Sequence, residues 1–154
     1  MGALYFVEAD INSKLGIITN INSLQGGNNS LEDLILKEIS SNTIRTPTSC
    51  GRTLLRLVRA LSFLKLLLKG VDDREELGPC ASAAYEVTMK PHHTWIVKNT
   101  VWVALKTLPY RADFLTGLNL DPNNTHFQTV LQLLQPIEKR LVDFYNLHQI
   151  NDLP

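Results

Sequence analysis

Cysteine is scarce in this chain: Cys50 and Cys80 are the only two among 154 residues. Two unpatterned thiols exclude a disulfide framework and a cysteine-built zinc site, and they point to a reducing compartment. An excess of charge is missing too. With 15 basic and 15 acidic residues the formal net charge is zero, which argues against a broadly basic nucleic-acid binder and leaves room for a local cationic pocket. No apolar run reaches the roughly 20 residues of a spanning helix. The most apolar one, residues 54–68, is interrupted by Arg56, Arg59 and Lys65. The opening residues, MGALYFVEADINSK, have no basic region before their apolar part, so no secretory signal is expected. Met1-Gly2 starts like a myristoylation site, but Phe6 stands where Ser or Thr is required.

Catalytic signatures are also wanting. The chain has no Gly-rich phosphate loop, nucleophile elbow, His-Glu-x-x-His or Cys-x-x-Cys. His92 and His93 are neighbours, and on a helix adjacent side chains diverge by about 100°, a poor metal pair. No metal, cofactor or catalysis is expected, and an enzyme is the least favoured class.

What is present is helical periodicity. Apolar residues are 44% and charged residues 19% of the chain, an ordinary globular balance that fits one domain over residues 1–154. Phe6/Val7, Ile11, Leu15, Ile18 and Ile21/Leu24 recur at three- and four-residue steps, predicting a helix over 4–24 that ends at Gly26-Gly27. Ser30 with Asp33 reads as a capping box opening a second helix over 31–41. After a linker marked by Thr46-Pro47 comes a long helix over 51–69, stopped by Gly70. Residues 72–79 read as a charged loop. Helices follow over 81–90, 92–108 and 111–118. The last, over 125–148, contains Pro136, which predicts a bend. The sum is an all-α chain of about seven helices.

The long helix carries the oddest feature. Arg52, Arg56 and Arg59 lie at i, i+4 and i+7, on one face of an otherwise apolar element. Two readings stand: a solvated stripe paired with acids elsewhere, or an anion site in which a phosphate offers bidentate acceptors to arginines that repel one another. Asp10 and Lys14, at i and i+4, read either as a surface ion pair or as part of a site. His93 near Trp95 reads as a structural histidine or as a ligand.

Several motifs fall in a telling order: Ala9-Asp10-Ile11-x-x-Lys14, Arg52-Thr-Leu-Leu-Arg56-Leu-Val-Arg59, Ala84-Tyr85, His93-x-Trp95-Ile96-Val97, Leu108-Pro109-x-Arg111, Phe114-Leu115, and the ending His148-Gln-Ile-Asn-Asp152-Leu153-Pro154. In this order they resemble the glycolipid transfer protein family, and its ceramide-1-phosphate branch in particular. The resemblance implies a two-layer helical sandwich whose layers part to admit sphingolipid chains, and lipid transfer between membranes without chemistry. It gives Asp10 to the ceramide amide and sphingoid hydroxyl, and His93 to the acyl carbonyl. Where sugar carriers of the family place Asn and Trp, this chain has Lys14 and Arg56, which with Arg52 match the phosphate-binding branch. Arg59 is basic in both branches and takes an auxiliary role.

The resemblance also places Trp95, Ile96 and Lys98 on a membrane-docking edge, with simple packing of Trp95 the competing reading. Leu55, Val58, Leu61, Phe63, Leu66, Val101, Val103, Leu131, Leu134, Val142 and Phe144 are candidates for core or for lipid pocket. Family domains carry a further helix before the Ala-Asp motif, whereas nine residues precede Asp10 here. A shortened chain without its cover helix is therefore expected, monomeric but prone to self-association. The expected partners are ceramide-1-phosphate and, transiently, membrane surfaces, with no nucleic acid. The expected location is cytoplasmic and peripheral to membranes. Two other functions remain open: a phosphosphingolipid sensor or interaction module that does not transfer, and an all-α scaffold with structural salt bridges.

Overall fold

The computed structural model describes residues 2–123 and 126–154, with side chains from residue 9 onward. Its elements are seven α-helices: α1 Gly2–Leu24, α2 Leu31–Ser40, α3 Cys50–Asp72, α4 Leu77–Thr88, α5 Trp95–Lys106, α6 Arg111–Gly117 and α7 Gln128–Leu147. A single 3-10 turn, Lys90–His92, links α4 to α5. The all-α expectation holds.

The capping box forms as read. Ser30 Oγ accepts from the Asp33 N–H at 3.1 Å, and the Asp33 carboxylate accepts from the Ser30 N–H at 3.1 Å. The Ser30 hydroxyl also donates to that carboxylate at 2.8 Å, and this bond first, then the one from the Ser30 N–H, holds the Asp33 carboxyl below the usual carboxylate range. Helix α3 is capped from farther away. Its first two free N–H groups, on Cys50 and Gly51, donate to the two oxygens of the Glu38 carboxylate at 2.6 and 2.9 Å. The third, on Arg52, donates to Ser49 Oγ at 3.1 Å. Three orphan donors of a buried helix end are thus satisfied without water.

Several boundaries differ from the sequence reading, four of them by three residues or more. Gly70 does not stop α3, which runs on to Asp72. The expected loop over 72–79 is shorter, because α4 begins at Leu77 and takes Pro79 into its first turn, where a missing N–H costs nothing. The helix expected from residue 92 begins instead at Trp95. Pro91 lies inside the 3-10 turn that ends at His92, His93 is extended, and Thr94 caps α5. The start expected for α7 at Thr125 lies outside the described residues; the described helix runs from Gln128 through Pro136 to Leu147.

The chain divides into two compact units, residues 1–58 with 141–154, and residues 59–140. The first has a core of Ile18 (α1), Leu34 and Ile35 (α2), Leu54, Leu55 and Val58 (α3) and Tyr145 (α7), completed by Ile150 and Leu153. Each such side chain contributes about 1.5–3 kcal/mol by leaving water. Leu15 and Leu24, read as parts of the α1 stripe, are exposed, while Phe6 and Val7 fall outside the described side chains.

The second unit is centred on Val71, Leu77, Cys80 and Leu115. Arg111 ties it together, its Nε donating to Val71 O at 2.8 Å and its Nη1 to Pro122 O at 3.0 Å. Lys65, which interrupts the apolar run of α3, pairs with the buried Glu138, and Ser62 Oγ donates to the same carboxylate at 2.5 Å. Both cysteines are free and buried. Desolvation, then the Glu38 carboxylate, pushes the Cys50 thiol up to about 12, so it is inert at neutral pH.

Gly70 serves close approach. A Cβ there would stand 2.6 Å from Cys80 Cβ. Gly70→Ala is therefore expected to destabilise the chain by about 1–2 kcal/mol, the overpacking cost reduced by alanine's better helix propensity. Thermal melting checks this; a variant as stable as the parent would mean that α3 and α4 separate easily at this point.

Candidate functional site

Four of the residues marked by sequence lie in the first unit. Asp10 and Lys14, one turn apart on α1, form an ion pair. The Asp10 side chain is 66% exposed and Lys14 only 17%, so the lysine stem is packed while the carboxylate faces solvent. On α3, Arg52 is fixed at the first turn, and its Nε donates to the main-chain oxygen of Pro154 at 3.0 Å.

Arg56 is the outlier. Among the described residues it has no hydrogen-bond or ion-pair partner. It is exposed, yet partial desolvation and then the like charge of Arg52 lower its pKa, while the Asp10 carboxylate pulls the other way. Guanidinium stays protonated in any case. These mutual influences place Asp10 of α1 near the arginines of α3, and among the described side chains Lys14, Arg52 and Arg56 outnumber the Asp10 carboxylate there. The stripe is not uniform, however. Arg59 belongs to the second unit, where its charge reaches His92; there burial first, then Arg59 and His93, lower the imidazole pKa.

His93, Trp95, Ile96 and Lys98 also belong to the second unit. His93 follows the 3-10 turn, and its Nδ1 lies 3.0 Å from the Tyr85 hydroxyl, the two rings 5.6 Å apart. Tyr85 is buried, and desolvation raises its phenol pKa, keeping the proton on the oxygen. If that hydroxyl donates to Nδ1, the ring proton sits on Nε2, the tautomer that can donate to a further acceptor. Sequence reasoning quoted Tyr85 in a motif without giving it this task; the contact spans eight residues across the Pro91 turn, which no periodicity foretells.

Trp95 is 75% exposed and Ile96 70%, so the reading of Trp95 as a packed core residue fails. Lys98 is half-buried and lines, with Tyr85, Lys90, Trp95 and Trp102, a groove of about 450 Å³. Val103, proposed as core or pocket, is 56% exposed. Sequence reasoning missed Trp102, which is exposed on α5 with Lys106 Nζ 3.6 Å from its ring centroid. Its signal was the seven-residue step from Trp95, which returns to the same helix face. Of the other candidates, Leu55 and Val58 are core, and Val142 and Phe144 pack against it. Among the described residues Leu61, Phe63, Leu66, Leu131 and Leu134 stand half-buried outside both core clusters.

The model of the glycolipid transfer protein (GLTP) family matches residues 1–120. The chain belongs to the glycolipid transfer protein family. Across its whole length it is 31% identical to the ceramide-1-phosphate transfer protein of Rattus norvegicus, covering 79% of that protein. The crystal structure of human ceramide-1-phosphate transfer protein in complex with 12:0 ceramide-1-phosphate superimposes with a TM-score of 0.86 at 29% identity, over 97% of this chain and 79% of the human one. A mutant of Arabidopsis accelerated-cell-death 11, complexed with C12 ceramide-1-phosphate, gives 0.84 at 25% identity, over 96% and 75%. Asp10, Lys14, Arg52, Arg56, His93, Trp95, Ile96 and Lys98 all fall inside the stretch matched by this family of lipid-transfer proteins. No described helix of this GLTP-family chain is long and apolar enough to cross a membrane.

Proposed function

We propose that residues 1–154 work as one lipid-transfer domain that carries ceramide-1-phosphate between membranes, at their cytoplasmic surfaces, without altering it. The observation that carries this reading is Arg56, a guanidinium with no described hydrogen-bond or ion-pair partner, repelled by Arg52. A phosphate dianion relieves that repulsion and takes two parallel N–H bonds from a guanidinium fork. Lys14 and Arg52 share the remaining phosphate oxygens. A neutral sugar would leave the same cations crowded and poorly compensated.

The names of the rat and human relatives, and the ligand bound in the human and Arabidopsis structures, favour the same head group. From the family pattern we assign Asp10 to the ceramide amide and His93 to the acyl carbonyl. Leu61, Phe63 and Leu66 of α3 and Leu131 and Leu134 of α7 suit hydrocarbon, since half-buried apolar side chains still have area that a lipid chain can withdraw from water. Trp95 and Ile96, with Lys98 nearby, suit transient seating on a bilayer surface.

Vesicle-to-vesicle transfer tests the proposal. Ceramide-1-phosphate should move, whereas glucosylceramide and lactosylceramide should stay in the donor vesicles. Comparable transfer of either neutral glycolipid would sink the head-group assignment. Tight binding of ceramide-1-phosphate without transfer would make the chain a sensor.

A further inference from the structure

Past the end of α7 the chain turns sharply and returns to the first unit. Gln149 takes a left-handed conformation at φ 55°, and the Ile150 N–H donates back to Tyr145 O at 3.1 Å. Ile150 and Leu153 then enter the core, Leu153 with 1% of its surface exposed. Between them Asp152 projects outward and pairs with Arg45 at 2.6 Å. Arg45 sits in the linker that leads into α3, and its hydrogen bond first, then its charge, holds the Asp152 carboxyl below the usual range. One residue beyond Leu153, the oxygen of Pro154 accepts from Arg52 Nε.

Two buried side chains and one ion pair thus over-determine the position of a single main-chain oxygen acceptor, and that acceptor meets an arginine of the candidate head-group site. We propose that residues 150–154 form a clasp that positions Arg52 for a phosphate-bearing head group, with Asp152 and Pro154 as positioning residues; this rests on the function proposed above. The geometry favours positioning over competition. Nε–H is one edge of the guanidinium, and a bond there fixes the plane of the group while the Nη edge remains for a bidentate acceptor. An arginine already ordered in the empty protein spends less conformational entropy when the lipid arrives. The exposed Arg45–Asp152 pair adds little stability; it sets the direction of the segment between its two anchors.

The test compares ceramide-1-phosphate with ceramide lacking the phosphate, in full-length protein, by equilibrium binding. Deletion of Pro154 should weaken ceramide-1-phosphate binding about five- to tenfold, less than the loss of a charged hydrogen bond to the lipid itself, because the bond removed only positions Arg52. Ceramide binding should be unchanged, and the deletion should have no further effect once Arg52→Leu is in place. Asp152→Ala should weaken ceramide-1-phosphate binding about twofold in the same selective way. If the deletion lowers the helical circular dichroism, Asp152→Ala, an exposed position, carries the test alone. Equal losses for both lipids, or losses that persist beside Arg52→Leu, overturn the clasp. An Arg52→Leu protein that binds ceramide-1-phosphate normally overturns the head-group reading and the clasp with it. A weakened Arg52→Leu beside unaffected Pro154 and Asp152 variants overturns the clasp alone.

Discussion

Arg56→Leu is expected to weaken ceramide-1-phosphate binding at least tenfold while leaving the empty protein as stable as before. A charge-assisted hydrogen bond is worth about 1.5–3 kcal/mol, and the lower figure already corresponds to a factor of about ten in affinity. A bidentate pair with phosphate should exceed it. The unliganded fold loses nothing comparable, because Arg56 has no described hydrogen-bond or ion-pair partner to strand. Its removal also ends the repulsion with Arg52, so the melting temperature should hold or rise slightly. Arg56→Lys should fall between, since it keeps the charge and gives up the fork. Normal binding by Arg56→Leu would return this residue to the solvated-stripe reading. A large fall in melting temperature would instead make it a structural cation.

The sequence was most readable where the relevant physics is local. Helix class followed from three- and four-residue apolar steps, and the Ser30–Asp33 box was visible because both partners lie within one turn. The charges of the candidate site were legible for the same reason: Asp10 and Lys14, and Arg52 and Arg56, are each one turn apart. What could not be read depends on contacts distant in the chain. Gly70 looked like a helix stop because glycine marks both a break and a close approach, and only the position of Cys80 separates the two. The start of α5 was misplaced because no apolar residue marks positions 92–94, and only the backbone shows that the 3-10 turn runs to His92, His93 is extended and Thr94 is the cap. The bond from Arg52 to Pro154 joins residues 102 apart in sequence, and no pattern in either segment announces it. The exposure of Trp95 was undecidable beforehand, since a tryptophan that packs and one that docks on a membrane share the same local sequence.

Glu38→Ala should be the most damaging single change to the first unit, lowering stability by about 3 kcal/mol, since each buried donor left unsatisfied costs about 1–3 kcal/mol. Glu38 is buried, and both its oxygens accept from the opening N–H groups of α3. Cys50 is fully buried and Gly51 nearly so, with Ile44 against it, so water cannot readily replace the lost carboxylate. The negative charge also opposes the positive end of the helix dipole, a favourable term that alanine removes as well. In a chain of this length about 3 kcal/mol corresponds to a fall of roughly 10 °C in melting temperature. Glu38→Gln should lose about half as much, because its carbonyl still accepts one N–H while its amide faces the other. Arg52 is the third residue of the same helix turn, so a frayed α3 start should weaken ceramide-1-phosphate binding too. That second loss should shrink on cooling, when the turn re-forms, whereas the binding defect of Arg56→Leu should persist at every temperature. A Glu38→Ala protein that melts with its parent would show that the start of α3 finds other acceptors, and that the distant carboxylate is not what holds the arginine helix in place.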